Sequence, residues 1–248
     1  MIAVKNSREL ALMREACVVS ARALKLAGEA VEPGVTTAEL DRIIRKYIES
    51  QGAKPSFLGY GGFPASACIS VNETVIHGIP DKRVIKAGDI VSIDVGAHLS
   101  GYHGDNAATF AAGDISKEAR ALLDATRESL YEGIAMAVAG NRIGDISAAV
   151  QQYVEMRGYS VVRQFVGHGV GTNLHEDPSV PNFGTPGRGP RLLPGMTLAI
   201  EPMVNMGVPD VDVLKDGWTT VTRDGKLSAH FEHTIAVTKD GPVVLTMP

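Results

Sequence analysis

An internal repeat is the feature that most constrains how this chain can fold. Residues 31–52, VEPGVTTAELDRIIRKYIESQG, align with residues 137–158, AVAGNRIGDISAAVQQYVEMRG, at an offset of 106 positions. The alignment matches Gly34 with Gly140, Tyr47 with Tyr153, Glu49 with Glu155 and Gly52 with Gly158. A pair of helices can look alike by chance, so this segment alone predicts a duplication only weakly.

Two later pairs of segments keep the same order along the chain. HGIP at 77–80 resembles HEDP at 175–178, and GDIVSID at 88–94 resembles GMTLAIE at 195–201. Three repeated segments in one order indicate a duplicated α+β fold, with halves related by a pseudo-twofold axis. Because equivalent segments meet near such an axis, we expect a shared central site that contains histidines and carboxylates.

Net charge, the absence of long apolar runs and the cysteine count exclude several classes of function. The 248 residues carry a net charge of -4 without any block of Lys or Arg, which argues against a nucleic-acid or anionic-membrane surface. The opening MIAVKNSRELALMREA lacks the apolar core of a signal peptide, and apolar runs of membrane-spanning length are absent from the sequence. Two cysteines suit a reducing compartment. We therefore expect a cytoplasmic protein with a small or peptidic partner.

Four helices are predicted from apolar spacing and capping signals. They cover Ser7 to about Ala30, Thr36 to Gly52, Ser116 to Ala139, and Asp145 to Arg157. Strand and turn signals dominate the remaining sequence.

Two aspartates suggest a cation within a hairpin. Asp94 ends the apolar run IVSID, and Asp105 follows a turn at Leu99, Ser100 and Gly101. If this turn closes a hairpin in which paired positions sum to 199, Asp94 lies directly opposite Asp105. Opposed carboxylates repel unless a cation lies between them, so a metal ion is the favoured explanation.

Two glutamates repeat this pattern in the second half. Glu201 ends an apolar strand in AIEP, and Glu232 lies inside the strand-like HFEHTIAV. A buried, unpaired carboxylate would cost several kcal/mol, which favours a partner for each. The alternative is an edge strand that leaves these side chains in solvent.

Histidines supply the remaining candidate ligands and donors. His168 lies in GHGVG, where flanking glycines let a ligand approach, although a histidine in such a turn is often structural. Four carboxylates and one imidazole suit Mn, Fe or Co and can hold two ions, which favours hydrolysis. His77 and His175 occupy equivalent positions before prolines and are candidates to contact a substrate carbonyl, or else are satisfied by backbone. Position alone gives no role to His98, His103, His230 or His233.

Seven motifs together resemble the type I methionine aminopeptidases over essentially the whole chain. They are SVNETVIHGIP, SIDVG, HGDNA, GHGVG, HEDP, AIEPM and HFEHT. The resemblance implies a pita-bread (creatinase/aminopeptidase-like) fold, with pseudo-twofold duplicated halves around a central antiparallel sheet and residues 1–248 forming a single catalytic domain. It also implies two divalent ions, Co, Mn or Fe, bound by Asp94, Asp105, His168, Glu201 and Glu232.

The resemblance further implies roles for individual residues. Asp105 and Glu232 would bridge the ions, Asp94 would bind one, and His168 with Glu201 would bind the other. Glu201 would also act as general base, while His77 and His175 would contact the substrate's peptide group. The expected reaction is removal of the initiator methionine, with a preference for a small second residue.

An apolar pocket for the methionine side chain follows from the same resemblance. Its expected residues are Phe57, Tyr60, Phe63, Cys68, Phe165 and Trp218, although each could simply belong to the core. Phe63 and Leu174 depart from the bacterial pattern, which often has Tyr and Phe there. Both changes keep the site apolar, so they bear on fine specificity.

Two other functions remain open from the sequence. An aminopeptidase P or prolidase-like enzyme could carry the same five ligands, but such enzymes usually have an additional N-terminal domain. A non-catalytic binding module could keep the fold, although such relatives typically lose ligands. The sequence lacks the zinc module of eukaryotic type I enzymes and the long insertion of type II enzymes, which favours a compact bacterial type. We expect a monomer with a possible transient ribosome contact.

Overall fold

The computed structural model describes residues 2–247. Within them the helices are α1 (Ser7–Glu29), α2 (Thr37–Ser50), α3 (Lys117–Ala135) and α4 (Ile143–Glu155). The strands are β1 (Lys54–Pro55), β2 (Ala67–Val71), β3 (Thr74–Ile76), β4 (Ile90–Leu99), β5 (Tyr102–Ala111), β6 (Ser160–Val161), β7 (Gly167–Gly169), β8 (Glu176–Val180), β9 (Thr197–Ile200), β10 (Met203–Asn205), β11 (Val211–Val213), β12 (Thr220–Thr222), β13 (Ser228–His230), β14 (Glu232–Thr238) and β15 (Gly241–Val244).

A nine-stranded antiparallel sheet forms the centre of the molecule. Its main path runs β1-β4-β5-β14-β9-β7-β8, with β2 added to β4 and β15 added to β14. Helices α1 and α2 pack on the β2–β4 half through a cluster that includes Leu24, Ile44 and Ile93. On the other half, α3 and α4 pack on β9 and β14 through a cluster that includes Leu130 and Ile146. The helices therefore cover the sheet in two similar pairs.

The backbone confirms the duplication that the sequence predicts. Strands β5 and β14 pair at the middle of the sheet, and β4 and β9 flank them on opposite sides. Gly34 N donates to Ile85 O at 2.9 Å, and the equivalent Gly140 N donates to Leu192 O at 3.0 Å. Gly34 and Gly140 also share nearly the same φ, 103° and 101°. The halves are thus related in detail, and their equivalent strands meet at the central β5–β14 pair.

The first two helices form where they were predicted, although α2 ends at Ser50 rather than Gly52. Helix α1 begins at Ser7, and Asn6 caps it in a reciprocal capping box with Glu9. Helix α2 has the predicted capping box, in which Thr36 N donates to Glu39 Oε2 at 2.8 Å. Both caps satisfy backbone N–H groups that lack partners within the helix.

The predicted limits of the third and fourth helices need correction. Helix α3 ends at Ala135 rather than Ala139, and α4 begins at Ile143 rather than Asp145. Gly140 adopts a left-handed φ of 101° in the connecting turn, which no helix can include. The Asp145 carboxylate accepts from Arg142 N at 2.7 Å and caps the first turn, so this aspartate lies inside the helix rather than before it.

The register of the β4–β5 hairpin differs from the prediction by two residues. Asp94 pairs with Ala107, so the expected direct opposition of Asp94 and Asp105 is wrong. The connection is a two-residue turn in which Ser100 and Gly101 both have positive φ, 53° and 85°. Because side chains alternate along a strand, Asp94 and Asp105 still share one face as diagonal neighbours.

Over residues 2–247, none of the four helices has an apolar stretch of the length that a membrane crossing requires.

Candidate active site

All five predicted ligand residues line one cavity of about 180 Å³. Each comes from a different strand of the central sheet or from its end. Asp94 lies on β4, Asp105 on β5 and His168 on β7, while Glu201 directly follows β9 and Glu232 begins β14. The pseudo-twofold arrangement places equivalent carboxylates on either side of the β5–β14 pair. The sheet therefore brings together side chains that are far apart in sequence.

The tightest group contains Asp105, His168 and Glu232, whose candidate ligand atoms all lie within 4.8 Å of one another. His168 Nε2 is 3.9 Å from Asp105 Oδ2 and 3.6 Å from Glu201 Oε1. The other ring nitrogen, Nδ1, donates to Gly169 O at 2.8 Å. This hydrogen bond leaves the Nε2 lone pair facing the carboxylates, as a metal ligand requires.

Burial controls the charge of this cluster. It raises the pKa of Asp94 to about 7 and that of Glu201 to about 8. Burial first, and repulsion from neighbouring carboxylates second, hold the pKa values of Asp105 and Glu232 well above their usual range. Burial also lowers the pKa of His168 to about 3, which keeps the imidazole neutral.

The carboxylates fit a divalent cation. Asp94 Oδ1, Asp105 Oδ1 and Glu232 Oε1 are buried without a hydrogen-bond partner among the described residues. The side chains that line the cavity, in the part of the chain that the structure describes, include no Lys or Arg. Buried carboxylate oxygens without partners are costly, and a set of hard oxygen ligands with one imidazole suits Mn, Fe or Co. The buried group can therefore hold divalent metal ions.

His175 lies beside the cluster as predicted. Its ring centroid is 4.1 Å from that of His168, and its Nδ1 is 2.8 Å from the Tyr60 hydroxyl oxygen. Burial lowers the pKa of His175, so the ring is neutral near pH 7. A neutral imidazole whose Nδ1 is occupied presents Nε2 to the cavity.

His77 also lines the cavity. Its backbone has a left-handed φ of 57°, which turns the side chain out of β3 and into the cavity. The ring makes edge contacts with Phe165 and Trp218, at centroid distances of 5.5 and 6.1 Å. Burial lowers its pKa to about 4, so it too is a neutral hydrogen-bonding group near pH 7.

An apolar compartment adjoins the acidic cluster. All six residues predicted for it line the cavity, namely Phe57, Tyr60, Phe63, Cys68, Phe165 and Trp218. Phe63 meets Trp218 edge to face at 5.1 Å, and Leu174 closes the compartment with only 2% of its surface exposed. Tyr60 is 45% exposed and forms the rim. The cavity thus joins an apolar pocket to a buried acidic floor.

The structure adds His230, to which we assign no role from sequence alone. Its Nε2 lies 3.6 Å from Glu201 Oε2 and has no hydrogen-bond partner among the described residues. Burial lowers its pKa, and its side chain is almost fully enclosed. One sequence signal was available: His230 precedes Glu232 by two positions in HFEHTIAV, although the structure divides this segment between β13 and β14.

Comparisons with known proteins show the family to which the chain belongs. The chain matches the model of metallopeptidase family M24 over residues 11–239. It is 58% identical to a methionine aminopeptidase from Clostridium perfringens over 247 residues, which cover 100% of this chain and 99% of the relative. The crystal structure of a methionine aminopeptidase from Thermotoga maritima superposes with a TM-score of 0.99 at 46% identity, covering 100% of both chains.

A prolidase from Pyrococcus horikoshii shares the fold at a lower level. It is 24% identical, with a TM-score of 0.79, and the match covers 98% of this chain but 63% of the prolidase. The α+β pita-bread fold expected from the sequence is thereby confirmed.

Proposed function

This chain belongs to metallopeptidase family M24 and, within it, to the methionine aminopeptidases, and on that premise we propose that it removes the initiator methionine from new polypeptides. The observation that carries the proposal is an apolar pocket whose floor holds four buried carboxylates and a neutral imidazole. The pocket suits a thioether side chain, because sulfur packs well against aromatic edges. The free amine of a peptide N-terminus would bind at this floor.

The proposed metal centre would hold two divalent ions, Co, Mn or Fe. Asp105 and Glu232 would bridge them, Asp94 would bind one ion, and His168 with Glu201 would bind the other. Bound there, such ions lower the pKa of a water molecule and polarise a carbonyl, which amide hydrolysis requires. The unpartnered oxygens of Asp94, Asp105 and Glu232 support this assignment.

Side chains of this protein would transfer protons and donate hydrogen bonds during the reaction. Glu201 would accept a proton from the attacking water and later deliver it to the leaving amine. Its carboxylate oxygens lie 3.6 Å from His168 Nε2 and 3.6 Å from His230 Nε2, which limits its orientation. With the Tyr60 hydroxyl donating to Nδ1, His175 would donate from Nε2 to the substrate carbonyl oxygen. His77 would contact the same peptide group.

The proposal extends to the protein's setting. We assign residues 1–248 to a single catalytic domain, supported by a family match over 11–239. It would act in the cytoplasm as a monomer on the N-terminal methionine of nascent peptides, with a preference for a small second residue and a transient ribosome contact. Cys17 and Cys68 are both free thiols, which agrees with a reducing compartment.

Peptide hydrolysis separates this function from its alternatives. The metal-supplied protein is expected to release Met from Met-Gly-Met-Met and to leave X-Pro peptides intact. Release of X from X-Pro peptides with Met peptides untouched would instead indicate a prolidase-like enzyme. Stoichiometric metal binding without cleavage of either peptide, or no metal binding at all, would indicate a non-catalytic module.

A further inference from the structure

The turn that joins His168 to His175 is closed by a carboxylate. Strand β7 ends at Gly169 and β8 begins at Glu176, directly after His175. Glu176 Oε1 accepts from the backbone N of Asn173 at 3.1 Å and from Thr172 Oγ1 at 3.3 Å. The Glu176 side chain therefore folds back over its own turn and fixes the backbone next to His175.

A lysine from the N-terminal segment completes this arrangement. Lys5 Nζ lies 2.6 Å from Glu176 Oε2, and the two side chains are only 6% and 10% exposed. The Lys5 backbone N donates to Gly195 O at 2.8 Å, which fixes the lysine before α1 begins. A Cβ added at Gly171 would lie 2.6 Å from Lys5 Cε and 2.7 Å from Glu176 Oε1, so the turn packs closely around the pair.

The pair is a desolvated ion pair across 171 residues of sequence. A buried ion pair gains little stability overall, because desolvation offsets the attraction, but breaking it by removing one partner is costly. Such a pair is better suited to fixing a geometry than to stabilising the fold. The ion pair holds the turn between His168 and His175, whose ring centroids lie 4.1 Å apart at the cavity.

We propose that Lys5 is a positioning residue for His175 and acts through Glu176. This inference rests on the proposed function. Glu176 is joined to His175 by one peptide bond, so a shift of the turn would carry the imidazole away from its place beside His168 and Tyr60. Lys5 itself does not line the cavity and touches no reacting group.

Lys5→Met tests the proposal, because it removes the ammonium group and keeps the length of the side chain. We expect kcat for a Met peptide to fall by about 10-fold or more, with a smaller change in KM, since small displacements of a catalytic group are costly. In a His175→Ala background, Lys5→Met is expected to cause no further loss of kcat, because the group that it positions is already gone. A merely structural role would lower kcat equally in both backgrounds.

A second variant keeps the proposal testable if Lys5→Met folds poorly. Lys5→Met combined with Glu176→Gln leaves no unpaired buried charge, so this double variant is expected to fold and still show the reduced kcat. Arg45→Met is the matched control, because it breaks an exposed ion pair of 2.8 Å on α2 and is expected to leave kcat unchanged.

The outcomes are distinguishable. Wild-type kcat in Lys5→Met, or an equal loss of kcat in the presence and absence of His175, would overturn the positioning role while leaving the proposed function intact. If the wild-type protein itself cleaves no Met peptide, the proposed function fails. The inference can then be checked in the same variants by hydrogen exchange. Slower exchange of the Asn173 amide in wild type than in Lys5→Met would support the role of Lys5 in holding the turn through Glu176. Equal exchange would overturn it.

Discussion

His230 lies beside Glu201, a residue that lines the cavity, with His230 Nε2 3.6 Å from Glu201 Oε2. Glu201 directly follows β9 in the central sheet, whereas buried His230 ends β13 in a separate three-stranded sheet, so this contact joins the two sheets. His230 therefore limits the orientation of the carboxylate that we assign as general base.

His230→Gln is expected to lower kcat by about 10-fold while leaving the bound metal content unchanged, because Glu201 loses an orienting neighbour but all five ligands remain. Steady-state kinetics and elemental analysis of the same preparation measure the two quantities. An unchanged kcat would remove His230 from the site.

Asp105→Ala or Glu232→Ala is expected to abolish activity and metal binding, because each removes a proposed bridging ligand. Peptide hydrolysis and metal stoichiometry are the measurements. Retention of about a tenth of the wild-type rate in either variant would count strongly against the bridging roles. His233→Ala is a suitable control, because His233 neighbours Glu232 but does not line the cavity as described for residues 2–247.

His175→Ala is expected to fold normally and to lose about 100-fold in kcat, as for the loss of one donor to a developing oxyanion. Circular dichroism and thermal unfolding check the fold, and steady-state kinetics measure the rate. Tyr60→Phe keeps the ring and removes only the hydroxyl that contacts His175 Nδ1, so its loss of kcat should be smaller. A His175→Ala enzyme with wild-type turnover would contradict the assigned role.

The metal-free protein is expected to lose stability as the pH rises above neutrality. The folded pKa values of Asp94 and Glu201, about 7 and about 8, lie above those of the unfolded chain. Between the unfolded and folded values, the folded state holds protons that the unfolded state has released, so a rise in pH favours unfolding. Buried histidines such as His77 give the opposite slope, but only below about pH 6.5, where unfolded histidine titrates.

Denaturant unfolding of chelator-treated protein measures this effect. The free energy of unfolding is expected to fall by on the order of 3 kcal/mol between about pH 6.5 and 8.5. Glu201→Gln should reduce the slope, because it removes one titrating group. A metal-free protein whose stability is constant or rises over that interval would contradict the raised pKa values.

The sequence predicted the helices and the strand positions of the candidate carboxylates because both depend on local patterns. Capping at Thr36 and apolar runs that end in Asp94 or Glu201 are visible within a few residues, and the repeat relates them across the chain. The pairing of strands in the sheet could not be predicted in the same way. The hairpin register depended on Ser100 adopting a positive φ, which is uncommon for a residue with a Cβ.

His230 was missed for a related reason. It is placed by the pairing of β13 with β10, in which His230 lies opposite Met203. A contact between strands that are separated in sequence leaves no periodic signal at either residue. Only the two-residue spacing from Glu232 was available, and a single spacing of that kind is frequent in strands.

Metal titration of the stripped protein tests the central claim most directly. We expect chelator-treated protein to be inactive on a Met peptide and to regain activity as Mn, Fe or Co is added, reaching a plateau at about one to two bound ions per chain. Asp105→Ala should show neither the binding nor the recovery. Full activity in the presence of chelator, or equal metal binding by wild type and Asp105→Ala, would contradict the account.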